Sequence, residues 1–175
     1  MVTADGRVTG MRGGSIGAWA AGGWLAAAMA VPAPAVAQKA REVPYWASIS
    51  APKARMRTGP GTNYPANWEY VRAELPVKVM QVRNEWRRIV DPDGVEGWMR
   101  SFLLSEQRTA IIRGEIRPLR AAPDRGAKVT WRAEPGVVGK VSHCAAGWCE
   151  FDVHGRAGYV EIDHIWGVAA GETID

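Results

Sequence analysis

The two cysteines, Cys144 and Cys149, and the three histidines, His143, His154 and His164, are the residues best suited to redox or metal chemistry, and they all lie in the last third of the chain. An even, close pair of cysteines in an oxidising compartment predicts a disulfide closing a turn through Ala145-Ala146-Gly147-Trp148. Zinc ligation is the alternative, but Cys-x4-Cys is wider than the usual zinc spacing and the histidines are scattered. Redox catalysis is a third use of the pair. No metal and no cofactor is expected.

A second group is built for contact. Arg57-Thr58-Gly59-Pro60-Gly61-Thr62-Asn63-Tyr64-Pro65 is a loop shaped by Gly and Pro. It is not a phosphate loop, because no Lys-Ser/Thr closes it. Tyr64, Trp68 and Tyr70 could offer rings to a sugar or a peptide, with Arg57 supplying a charge-assisted hydrogen bond to a carboxylate. The competing reading makes these rings the cover of a small core. The same choice between core and stacking applies to Trp86, Trp98, Trp148 and Tyr159. No Ser or Cys has the context of a known nucleophile motif, and the carboxylates fall in turns or alternate on strands.

These residues need elements to hold them. The chain has 175 residues, with nine Trp, eleven Pro and twenty Gly, a composition of short strands and turns rather than long helices. Ile16 to Val31 is apolar, Arg7 and Arg12 precede it, and Ala35-Val36-Ala37 is a small-x-small site. This predicts a signal peptide over 1–37 cut between Ala37 and Gln38, hence a periplasmic or secreted protein. Met11 could serve as the start as well as Met1. An uncleaved signal segment would be the one membrane contact, although its apolar stretch is short for a span.

Beyond a short linker at 38–46, segments recur. Trp86 matches Trp148, Gly97-Trp98-Met99 matches Gly158-Tyr159-Val160, Met56-Arg57 matches Leu119-Arg120, and Arg72-Ala73-Glu74 matches Arg132-Ala133-Glu134, all at offsets near 60 residues. The expected domains are 47–106 and 107–175. Cys149 to Val153 alternates as a half-buried strand, His154-Gly155 turns, and Gly158 to Ile162 returns. Trp86 to Val90 and Gly97 to Met99 repeat this around Asp91-Pro92-Asp93-Gly94. Pro76 to Val82 is a further strand, either covered on both faces or bulged. About five strands per copy imply a small, strongly bent sheet.

Charge is uneven in the second copy: 107–140 carries eight basic and three acidic residues, whereas 141–175 carries one basic and six acidic. One use of this would be a basic segment made for an anionic wall or an acidic protein; the expectation is that the two segments face each other or are simply solvated. The overall surplus of +4 is too mild for nucleic-acid binding.

The stretches Arg55 to Pro65, Asn84 to Ile89 and Asp91 to Trp98, with Gly147-Trp148-Cys149, Gly158-Tyr159-Val160 and Ile165 to Val168, resemble the bacterial SH3-like (SH3b) family, specifically secreted tandem members. The second copy departs where Pro123-Asp124-Arg125-Gly126 replaces the Gly-Pro-Gly segment. The resemblance implies an all-β protein of two SH3-like barrels that binds cell-wall peptidoglycan without catalysis. A periplasmic adaptor docking an envelope protein through an exposed edge strand of the second barrel is the alternative, and an envelope hydrolase a third reading.

Overall fold

The computed structural model describes residues 41–175. The expected signal peptide and its cleavage site at Ala37 and Gln38 lie outside the described residues. Residues 41–175 fall within one compact unit.

The first half holds β1 (Tyr45–Ile49), β2 (Ala54–Arg57), β3 (Ala66–Tyr70), β4 (Pro76–Arg83), β5 (Trp86–Val90), β6 (Glu96–Arg100), a 3-10 turn (Ser101–Leu103) and β7 (Leu104–Ser105). The second half repeats it with β8 (Thr109–Ile112), β9 (Arg117–Arg120), β10 (Val129–Ala133), β11 (Val138–Ala145), β12 (Trp148–Val153), β13 (Arg156–Glu161), a 3-10 turn (Ile162–His164) and β14 (Ile165–Trp166). Each half makes one seven-stranded antiparallel sheet, ordered β3-β2-β6-β5-β4-β1-β7 and β10-β9-β13-β12-β11-β8-β14. Tyr70 from one end of the first sheet and Leu104 from the other pack on the same cluster of Ile49, Met56, Val77, Val79, Ile89 and Met99. A sheet whose two ends share a core has curled into a small barrel.

Two strands per copy exceed the expected five. β7 and β14 have two residues each, too short for any periodicity to register. β1 begins at Tyr45, inside the stretch expected to be a linker. The Pro76 strand is bulged, with a register shift between Val79 and Gln81. Val77 and Val79 therefore point into the core while Met80 and Val82 are each 41% exposed.

The duplication is physical. Gly97 and Gly158 do the same job, since a Cβ at either would strike Met56 or Leu119 of the crossing strand. The cores differ by one compensated exchange. Val77 and Ile89 of the first copy correspond to Gly139 and Phe151 of the second, where the Phe ring lies over the glycine. One repeat match was out of register. Glu74 (φ 63) and Gly136 (φ 84) occupy the same left-handed corner, each donating its N–H to the end of the preceding core strand, Ile49 or Ile112. The true partner of Glu74 is thus Gly136, and Arg72-Ala73-Glu74 is not the counterpart of Arg132-Ala133-Glu134.

Cys144 and Cys149 form a cross-strand disulfide between β11 and β12, beside the two-residue turn Ala146-Gly147. Both residues of that turn have positive φ, the geometry that suits a tight hairpin. The sulfurs are thereby unavailable to zinc. The double replacement Cys144→Ala/Cys149→Ala should lower stability by about 2 kcal/mol from loop entropy alone, read as a lower urea midpoint in non-reducing buffer. An unchanged midpoint would mean that the sheet already closes the turn.

The oppositely charged segments of the second copy do meet, through Arg108–Glu172 at 2.6 Å and Arg125–Glu161 at 2.6 Å. The two barrels also touch. Trp46 of β1 and Trp166 of β14 pack edge to face at 4.7 Å, Arg113 donates to Pro92 O at 2.6 Å, and Arg72 donates to Gly136 O at 2.9 Å.

Candidate functional site

The loop from Thr58 to Pro65 is set by its own backbone and by one side chain. Thr58 N–H donates to Pro65 O, Gly61 N–H to Gly59 O, and Tyr64 N–H to Gly61 O. Arg57 Nη1 donates to the carbonyl oxygens of Thr62 (3.2 Å) and Tyr64 (2.6 Å). The Tyr64 ring lies on Gly59, where any Cβ would collide with it, and the residue keeps 41% of its surface exposed.

The second copy builds the same loop despite its different residues. Ala121 N–H donates to Lys128 O, Asp124 N–H to Ala122 O, and Ala127 N–H to Asp124 O. Arg120 Nη1 reaches Ala127 O at 2.7 Å, as Arg57 reaches Tyr64 O. The divergence at Pro123-Asp124-Arg125-Gly126 leaves the backbone path alone and removes the ring, since Ala127 stands in Tyr64's place. Arg57 therefore acts first as a brace for the loop, because its Nη1 is committed to two carbonyls.

Tyr70 does not join the contact surface. It is 6% exposed, and its hydroxyl donates to Asp91 Oδ2 at 3.0 Å inside the first barrel. Asp91 is 4% exposed, and its Oδ1 accepts the N–H groups of Asp93 (2.9 Å) and Val95 (2.8 Å). The Asp-Pro-Asp-Gly turn thus folds around a carboxylate that also anchors a core tyrosine. Burial, and then the Asp91 charge, push the Tyr70 phenol well above its ordinary value. A phenol raised in the folded state contributes stability that is full below the unfolded value of about 10 and is lost as pH climbs beyond it. The wild-type protein should lose stability above that pH more steeply than Tyr70→Phe, which has no proton to lose there. Parallel alkaline limbs in urea titrations would contradict this.

Trp68 remains on the surface. It lies on β3 at the sheet's edge, opposite Met56, and is 49% exposed. Beside it Glu69 bonds Arg55 at 2.9 Å and Lys53 at 3.0 Å, and these two cations hold its carboxyl below the usual carboxylate range. Arg55, Ala66, Asn67, Trp68 and Glu69 line a shallow, open depression of about 330 Å³.

The matching residue of the second copy escaped the sequence reading. Trp131 lies on the edge strand β10 opposite Leu119, as Trp68 lies opposite Met56. It is 46% exposed, with the Arg156 guanidinium 5.4 Å over its ring. The signal was available: Trp68 and Trp131 have the same offset as Met56 and Leu119.

The remaining aromatic positions divide. Trp86 is core at 6% exposure, with Arg100 stacked 5.2 Å from its ring. Trp98 and Tyr159 are half-buried. Trp148, also half-buried, lines an open cleft of about 470 Å³ with Asp124, Arg125, Glu161 and Asp163. There Arg125 clasps Glu161 through Nε (3.2 Å) and Nη2 (2.6 Å), and this bond holds the Glu161 carboxyl low.

What the described surface offers is a pair of half-exposed indoles on edge strands, ion pairs beside Trp68, a guanidinium over Trp131, and one braced tyrosine. Such groups stack, make apolar contact and donate hydrogen bonds.

Compared with known proteins, the chain matches a family model described as a bacterial SH3 domain twice, over residues 50–106 and 113–167. No curated protein sequence matches it. Among solved structures, NlpC2 from Trichomonas vaginalis is similar at 12% identity and a TM-score of 0.32, over 72% of this chain and 49% of that one. NlpC1 from the same organism gives 11% identity and 0.32, over 73% and 47%. An NlpC/P60 family protein from Bacillus cereus gives 10% identity and 0.32, over 69% and 55%. The chain spans about half the length of each.

Proposed function

Since the chain belongs to the bacterial SH3 domain family, we propose that it is a non-catalytic binding protein of the cell envelope whose ligand is peptidoglycan. Bacterial SH3 domains are binding domains, often of cell walls. The Cys144–Cys149 disulfide is consistent with an extracytoplasmic protein.

The observation that carries the reading is the repetition of one exposed tryptophan. The half of an indole left in water gains nothing from folding. Finding it at the same register of both edge strands, as Trp68 and Trp131, points to a use outside the fold. The flat face of a sugar ring and the aliphatic parts of a peptide stem both suit an indole, and peptidoglycan contains both. Tyr64 adds a second ring in the first barrel, positioned by Arg57, and the nearby cations Arg55 and Arg156 suit stem-peptide carboxylates.

Titration with solubilised peptidoglycan fragments tests the assignment. The indole N–H resonances of Trp68 and Trp131 should move while that of buried Trp86 stays. Movement confined to other tryptophans, or none, would contradict it.

A further inference from the structure

The second barrel closes an edge that the first leaves open. Past β14 the chain runs back along β11, and Ile174 forms a bridge with Cys144. Cys144 N–H donates to Ile174 O at 3.0 Å, and Ile174 N–H donates to Cys144 O at 3.1 Å. Ile174 packs on the core there, and Cys144 is wholly buried. Arg108 fastens this tail by donating to Glu172 at 2.6 Å, and Ala169 N–H donates to the same carboxylate.

Val82 is the first barrel's counterpart of Cys144, because it faces Arg87 across the strand pair as Cys144 faces Cys149. β1 covers β4 only from Pro76 to Val79. Among the described residues nothing pairs with the outer edge of Met80–Arg83, and Met80 and Val82 are each 41% exposed. Among the described residues, no segment after β7 covers it as the tail covers the second barrel, since β7 ends at Ser105 and β8 begins at Thr109.

We propose that this edge is a docking site for an extended segment of a partner protein, added as a short strand beside β4. The tail of the second barrel indicates the chemistry. One backbone pair of hydrogen bonds forms at Val82, one aliphatic side chain lies where Ile174 lies, and carboxylates flank it as Glu172 and Asp175 flank Ile174. Arg83 beside Val82 favours those carboxylates, and Met80 offers an adaptable apolar contact. This docking edge lies on the first barrel; the corresponding edge of the second is filled by Ile174. The site is separate from the two exposed indoles and does not depend on the wall-binding reading.

The test uses an acetylated peptide with the sequence of residues 170–175, titrated into the isotope-labelled protein. The amides of Gln81 to Arg83 should shift and exchange more slowly, and those of Cys144 and Ile174 should not. Val82→Glu, or changing the peptide's isoleucine to aspartate, should weaken binding about tenfold or more. Val82→Pro, which removes the donor, should do the same. Unperturbed Phe151 and Ile89 resonances would show that each variant remains folded. No response at Gln81 to Arg83 at millimolar peptide would overturn the proposal. So would a response at Cys144 instead, or concentration-dependent dimerisation through Val82 without peptide, which would make a second copy the occupant.

Discussion

Valine in place of Gly139 is expected to destabilise the second barrel by about 3 kcal/mol. A Cβ there would sit 2.6 Å from Phe151 Cζ and 2.9 Å from Asp152 O. Phe151 is wholly buried in the core cluster of the second barrel. The first barrel carries Val77 and Ile89 at these positions, so the same backbone accepts the other division of volume. The double variant Gly139→Val/Phe151→Ile should therefore recover to within about 1.5 kcal/mol of wild type, as volume-conserving exchanges do. Urea unfolding of both variants measures this. Additive losses would mean that the two cores are not interchangeable.

The second large effect is expected at Asp91. Its carboxylate accepts three hydrogen bonds, from Tyr70, Asp93 and Val95, in a nearly dry site. Asp91→Ala strands all three donors at once and should destabilise the first barrel by about 4 kcal/mol, given about 1–3 for each buried group left unpaired. Asp91→Asn keeps an acceptor for the turn and should lose roughly half as much. The second copy has Ala133 and Val153 in place of Tyr70 and Asp91, an apolar pair that needs no such bonds. Equal losses for Ala and Asn would show that the charge, not the acceptors, holds the turn.

The duplication was legible where packing demands the same residue twice, as with Gly97 and Gly158. It misled at Arg72-Ala73-Glu74, where a left-handed corner is filled by Glu74 in one copy and Gly136 in the other. Alternation and turn residues located β5, β6, β12 and β13, but strands of two residues carry no alternation to detect. The disulfide followed from spacing and compartment.

The candidate site was legible only in part. Tyr64, Trp68 and Tyr70 are indistinguishable as rings in a sequence. What separates them is a carboxylate twenty-one residues on from Tyr70, which draws it inward. Trp68 and Tyr70 share one face of the edge strand β3, so strand position does not tell them apart. Trp131 is hidden by the match of Arg72-Ala73-Glu74 to Arg132-Ala133-Glu134, which sets it against Val71 instead of Trp68.

Co-sedimentation of the purified protein with isolated peptidoglycan sacculi, across a salt series and beside Trp68→Ala and Trp131→Ala, tests the central claim most directly. Saturable pelleting that survives moderate salt, weakens about tenfold in either variant and vanishes in the double variant is the predicted result. No pelleting, or pelleting abolished by modest salt and indifferent to both tryptophans, would contradict it.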